Sequence, residues 1–281
     1  MSNFFEGKTA VVTGGSGVLC SCFCRALAER GARVAVVGTR LETAGAVSDE
    51  ISSSGGIAMP VACNVQDINS VREAEKQICD AFGPADILIN GAGIAPASAC
   101  TTKERADEQS LAASPEEERT LFNLPSEVFR EVMDLNCIGM FNVTQVFSQK
   151  MAGIEGANIL NISSMSGISP LTKQIAYSAS KAAVANLTQW LSIHLAGVGI
   201  RVNAIAPGFF LTRINRHLLL NEDGSNSPRA QKIIDGTPMN RMGSPDELTG
   251  AMLYLCDSSA SSFVTGVILP VDGGFSAYCG V

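Results

Sequence analysis

Residues 9–18 read Thr-Ala-Val-Val-Thr-Gly-Gly-Ser-Gly-Val. The first five, Thr9–Thr13, are β-branched and apolar on both faces, the pattern of a strand buried within a sheet. Gly14, Gly15 and Gly17, with Ser16 between them, then let the backbone turn tightly, and Val18 opens a helical stretch. A second apolar strand ends near Val37, so the unit closes after about 30 residues. Glycine lets the main chain come close to a pyrophosphate, and the helix start offers unbonded N–H groups and the positive end of a dipole. A plain strand-to-helix turn uses glycine too. The position inside a strand–loop–helix–strand unit is what points to dinucleotide binding.

Similar short apolar runs recur outward from this unit, at Arg33–Val37, Ile57–Val61, Ile87–Asn90, Asn158–Ser163, Arg201–Ile205 and Val267–Val271. Longer segments of helical periodicity separate them, the longest being Glu127–Met151 and Ala176–Leu195. Apolar strands alternating with helices predict an α/β fold of the Rossmann, doubly wound type. The expectation is a seven-stranded parallel sheet with helices on both faces, in a single domain spanning residues 1–281. Ser244-Pro245-Asp246-Glu247 has the form of a helix start, with Ser as cap and Glu at the third position. Residues 95–125 break the rhythm. They carry six acids against three bases and read either as a solvated surface excursion or as a flap beside the site.

Composition narrows the function. Of 281 residues, 46% are hydrophobic and 17% charged, which excludes disorder as the main state. Mean hydropathy is high at +0.21, yet no apolar run approaches the roughly 20 residues of a membrane helix. The excess must be buried in the core or between subunits. A net charge of −7 argues against a nucleic-acid partner. Nine scattered cysteines and no signal-like opening predict a reduced, cytoplasmic compartment. Cys20, Cys22 and Cys24 fan around a helix at about 100° per residue rather than gathering. They read as small buried residues, and no metal site is expected.

An acid about 20 positions beyond the glycines would hold an adenosine ribose diol. Here Thr39 and Arg40 follow the second strand instead. A guanidinium in place of a carboxylate favours NADP over NAD. Tyr177 and Lys181 lie four residues apart, on one face of a helix. A phenol titrates near 10, and a neighbouring ammonium is expected to lower that value into a catalytic range. Ser163 and Ser164 end the preceding strand, and Asn136 sits in an apolar helical stretch where its amide needs partners.

Together these residues resemble the classical short-chain dehydrogenase/reductase family, from Lys8 to about Phe275. The matching elements are the glycine loop, Asn90-Gly91-Ala92-Gly93, Asn136, Ser164, Tyr177 with Lys181, Pro207-Gly208 and Asp272-Gly273-Gly274. The resemblance implies an NAD(P)-dependent oxidoreductase with Tyr177 as acid–base, Ser164 orienting the substrate oxygen, Lys181 on the nicotinamide ribose and Asn136 holding a relay water. It implies cofactor contacts from Gly14, Ser16, Gly17 and Val18, then from Thr39, Arg40, Asn64 and Val65. Further contacts fall to Asn90, Gly91 and Ala92, and to Tyr177, Lys181, Pro207, Gly208 and Thr212. Leu19 and Cys20 depart from the pattern, standing where small or glycine residues are usual. The stretch from Asn90 to Asn136 is longer than usual, by the 95–125 excursion.

The variant glycine loop, the excursion, residues 206–216 and the ending at 270–281 are similar to a narrower group, short-chain oxidoreductases that interconvert D-fructuronate and D-mannonate. That likeness implies a sugar-acid substrate. Other short-chain reductases, of gluconate, polyols or 3-oxoacyl carrier protein, are the alternative. The carboxylate of a sugar acid needs a cation, for which Arg213 and Arg216 are candidates in a substrate-covering segment at about 209–240. The family also implies a homotetramer.

Overall fold

The computed structural model describes residues 4–211 and 219–279. Seven strands form one sheet: β1 (Thr9–Thr13), β2 (Arg33–Gly38), β3 (Ile57–Ala62), β4 (Ile87–Asn90), β5 (Asn158–Ile162), β6 (Arg201–Pro207) and β7 (Ile268–Val271). Their order is β3-β2-β1-β4-β5-β6-β7, and every neighbouring pair is parallel. The expected strands agree to within two residues. The largest difference is β6, which continues to Pro207 because its last residues pair with Pro270 and Val271.

Side-chain alternation divides the core into two. Val12, Val34, Val36, Ile89, Leu160 and Ile205 point to one face. There they meet α1 (Val18–Ala28), α2 (Leu41–Ser53) and, near the C-terminus, α8 (Thr249–Cys256). Val11, Ala35, Leu88, Ile159 and Val202 point to the other face. That side is covered by α3 (Ile68–Phe82), α5 (Met140–Met151) and α6 (Ile175–His194). Each fully buried Val, Leu or Ile contributes roughly 1.5–3 kcal/mol, which is where most of the apolar excess goes. The edge strands are wetter than the apolar reading suggests: Ile57 of β3 is 55% exposed. An edge has a neighbour on one side only.

Cys20, Cys22 and Cys24 are all buried in α1. The motif at Ser244 closes a reciprocal capping box with Glu247, whose carboxylate accepts the Ser244 N–H at 2.8 Å. A short 3₁₀ turn, Pro245–Leu248, then leads into α8. The long stretch expected from Glu127 to Met151 is helical throughout but not uniform. It comprises α4 (Ser126–Met133), a wide π turn at Asp134–Gly139, and α5. Such a turn commonly marks a functional position, and Asn136 sits in it.

The order in which strands are added to the sheet reverses between β1 and β4. Crossovers run outward through β2 and β3 on one side and through β5, β6 and β7 on the other. The carboxyl ends of β1 and β4 mark the point where the topology of such sheets places a ligand-binding crevice. Thr13 joins the two ends there: its hydroxyl donates to the Ile89 carbonyl at 3.3 Å and accepts from the Gly91 and Ala92 N–H groups at 3.1 and 3.3 Å.

Candidate active site

The β1–α1 turn forms one wall of the crevice. Gly14 has φ of 66°, and a Cβ there would lie 2.9 Å from the backbone of Gly91 and Ala92. A Cβ on Gly15 would meet the Val12 carbonyl and Val36 at the same distance. Only glycine fits either position. The first turn of α1 has no side-chain cap and no acid, so its N–H groups are left for another acceptor. A backbone cradle at an uncapped helix start fits a dinucleotide pyrophosphate. Ser16 lies within hydrogen-bond reach of Thr43, at 3.3 Å.

Past β2, Thr39 and Arg40 are exposed, and no ion pair of Arg40 occurs among the described residues. Asn64 is also exposed, while Val65 is buried and would be struck at 2.7 Å by a Cβ on Gly139. Asn90 lies below the crevice, donating to Thr144 at 3.0 Å and Asn161 at 2.9 Å, and Asn161 donates on to Thr188 at 2.9 Å. This chain ties β4 and β5 to α5 and α6. Gly208 bonds Val271 at 3.0 Å and has no room for a Cβ beside Asp272.

Asn136 is buried, and its amide turns away from its own helix. It accepts the Ile94 N–H at 2.8 Å and donates to the Ile94 carbonyl at 2.9 Å and Ser180 at 3.0 Å. Ser180 in turn donates to the Tyr177 carbonyl at 2.7 Å. Ser163 also has a definite place, bonding the Lys181 carbonyl at 3.0 Å. Ser164 accepts the Ser166 N–H at 3.1 Å, and its hydroxyl lies close enough to the Tyr177 phenol to act on its ionisation. Lys181 is buried and donates to the Ile162 carbonyl at 2.7 Å, with Nζ 5.7 Å from the Tyr177 ring centre. A Cβ at Gly93 would lie 3.1 Å from Asn136 Oδ1 and 3.6 Å from Lys181 Nζ. Backbone, amide and ammonium therefore meet at one point.

The electrostatics differ from the expectation that Lys181 lowers the Tyr177 pKa. Burial pushes the Tyr177 phenol up, opposed by the nearby Ser164 hydroxyl. The Lys181 ammonium is itself brought down to about 8 by burial. Spacing alone could not show that the lysine spends its charge on a main-chain carbonyl.

Thr212, Arg213 and Arg216 lie outside the described residues. On either side of them, Phe209, Leu211, Leu219 and Met242 pack with Ala230 and Ile233 of α7 (Pro228–Asp235).

Sequence reading missed Gly167. The turn that carries Ser164 lies so close to α6 that a Cβ on Gly167 would be 2.6 Å from the Lys181 carbonyl oxygen and 3.0 Å from the Ala182 nitrogen. Backbone cannot yield there, so Gly167→Ala pushes Ser164 away from Tyr177. The expected result is a kcat at least tenfold lower, with a stability loss of about 1–3 kcal/mol. Steady-state rates and a thermal melt check this, and a kcat within twofold of wild type refutes it.

A glycine-walled crevice at the reversal point of a parallel sheet defines a dinucleotide-dependent enzyme of Rossmann type. A family model described as short chain dehydrogenase matches residues 8–223. The chain belongs to that family and is a nicotinamide-dependent oxidoreductase acting on an alcohol–carbonyl pair.

The uncharacterized oxidoreductase UxuB of Bacillus subtilis is 47% identical over 98% of this chain and 97% of its own. A proposed D-mannonate oxidoreductase from Haemophilus influenzae, solved with NAD bound, is 46% identical. It superposes with a TM-score of 0.93 over 98% of this chain and 97% of that one. A 3-oxoacyl-[acyl-carrier-protein] reductase of Synechocystis is 32% identical over 95% of this chain and 96% of its own.

Proposed function

We propose that this enzyme transfers a hydride between nicotinamide C4 and the carbonyl of a sugar acid, interconverting D-fructuronate and D-mannonate. The chemistry rests on one observation: the Ser164–Tyr177 hydroxyl pair beside buried Lys181, next to the glycine-walled crevice. The bound dinucleotide supplies the hydride in reduction and accepts it in oxidation. Ser164 and Tyr177 hold the substrate oxygen, and Tyr177 donates the proton to it in reduction. Its raised pKa keeps the phenol protonated at neutral pH, which suits that direction. Lys181 anchors the nicotinamide ribose, and Asn136 fixes the Ile94 backbone at the inner wall. The substrate class is supported by likeness to the Haemophilus protein, which was solved with NAD bound.

For the cofactor we propose a modest preference for NADP, set by exposed Arg40 where an acid would repel a 2′-phosphate. NAD in the Haemophilus protein makes this a question of ratio rather than exclusion. Arg40→Met should lower the NADPH-to-NADH ratio of kcat/KM by about tenfold. Association into a homotetramer is supported by the apolar outer face of α6, where Ile193 is 79% exposed.

The test is a spectrophotometric screen at 340 nm. NADPH and NADH are each offered with D-fructuronate, tagaturonate, 5-ketogluconate and an acetoacetyl thioester. The reading expects the highest kcat/KM with D-fructuronate. A higher value for the thioester moves the enzyme to acyl reduction and ends the sugar-acid assignment.

A further inference from the structure

Three cationic residues from three separate segments lie around residues 100–102, two of them bonded to that backbone and all three within electrostatic reach of Cys100. Lys173 lies in the turn before α6, four residues ahead of Tyr177, and its carbonyl accepts the Thr101 N–H at 2.9 Å. Arg119 comes from the far end of the 95–125 excursion. Its carbonyl accepts the Thr102 N–H at 2.9 Å, and its Nε donates back to the Cys100 carbonyl at 3.1 Å. Arg229 stands in the first turn of α7, a helix tied to the excursion by Lys232 and Glu104 at 2.6 Å.

All three side chains are half-buried. Among the described residues none forms an ion pair within salt-bridge distance. Glu104, the acid near Lys173, is engaged by Lys232. The charges of all three act on the Cys100 thiol, opposing the burial that raises it. Lys173 also holds φ at 72°, a left-handed conformation that a non-glycine residue keeps only when its surroundings impose it. Half-buried cations gathered without an acid partner repel one another until an anion joins them.

The cluster adjoins the site. Ile94, bonded to Asn136, begins the segment that leads to Cys100. Ala99 packs against Ala176, the neighbour of Tyr177. We infer that Lys173, Arg119 and Arg229 form a carboxylate-binding site at the rim of the active site, which holds the acid group of the substrate. This rests on the sugar-acid reading above. Arg119 keeps its terminal nitrogens for a two-point contact, since Nε is committed to Cys100. The excursion then serves substrate selection, bringing one of the three charges to the rim.

The test compares Lys173→Gln and Arg229→Met with wild type in the full-length enzyme. For D-fructuronate, KM should rise at least tenfold in each, with kcat within threefold. The NADPH dissociation constant, read by nicotinamide fluorescence, should not change. Relative turnover of D-fructose, which has a hydroxymethyl group in place of the carboxylate, should also stay unchanged. An unaltered KM for D-fructuronate in both variants overturns the inference. So does a loss of the same size for both sugars. A wild-type enzyme that does not reduce D-fructuronate at all overturns the substrate reading, and this site with it.

Discussion

Tyr177→Phe lowers kcat by about 1,000-fold, within the range that positioned proton transfer supplies, while NADPH binding stays within about twofold. The substitution removes one hydroxyl and leaves the ring in place. Ser164 alone can then polarise a carbonyl oxygen but has no means to protonate it efficiently. Burial raises the phenol above its usual value near 10, and this sets the pH response in each direction. Reduction needs the phenol, so its rate stays flat through neutral pH and falls only at alkaline pH. Oxidation needs the phenolate, so its rate climbs as pH rises towards that same raised value. Single-turnover rates in both directions from pH 6 to 10.5 check this. A variant that retains more than a tenth of wild-type kcat removes Tyr177 from the proton-transfer role.

Lys181→Met has two expected effects of opposite sign. Activity falls by about 100-fold or more as the cofactor ribose loses its ammonium. Stability at pH 7 rises. Lys181 is buried and its pKa is lowered from 10.5 to about 8, so the folded protein binds this proton less tightly than the unfolded chain does. Below pH 8 both states are protonated, and the folded state bears the full cost of the buried charge, on the order of 3 kcal/mol. Losing the hydrogen bond to Ile162 returns about 1 kcal/mol of that. The remaining gain of about 2 kcal/mol raises Tm by about 3 °C. Wild type recovers stability as pH rises from about 8 to 10.5, so the advantage of the variant shrinks over that window. Melts of both proteins across that range test it. A variant less stable than wild type at pH 7 shows that the bond to Ile162 outweighs the desolvation of the ammonium.

These two residues also show how far a linear reading reaches. The i, i+4 spacing of Tyr177 and Lys181 put them on one helical face, and the position of Ser164 at a strand end put its hydroxyl near them. The first follows from local geometry, which is written in neighbouring residues, whereas the nearness of Ser164 to Tyr177 depends on how the β5 end packs on α6. The direction of the Tyr177 shift does not follow from local geometry. That depends on burial, opposed by the Ser164 hydroxyl. Asn136 is similar. Its residue type announced an amide in need of partners, but the partners lie on Ile94 and Ser180, 42 and 44 positions away. Gly167 carried no local signal at all, because the contact that demands glycine is with the backbone of α6.

Residue order alone carried the class of fold, the order and nearly the limits of the strands, and the glycine turn after β1. Period-two alternation, helix spacing and glycine at a strand end are all short-range properties. The tertiary structure alone decided which charges are spent on the protein and which are left for a ligand. The acidic 95–125 excursion looked like solvated surface or a flap, yet its neighbours include Lys173 and Arg229, 73 and 129 positions from Cys100. Charges act through space with a strength that depends on distance and burial, and neither is ordered by position along the chain.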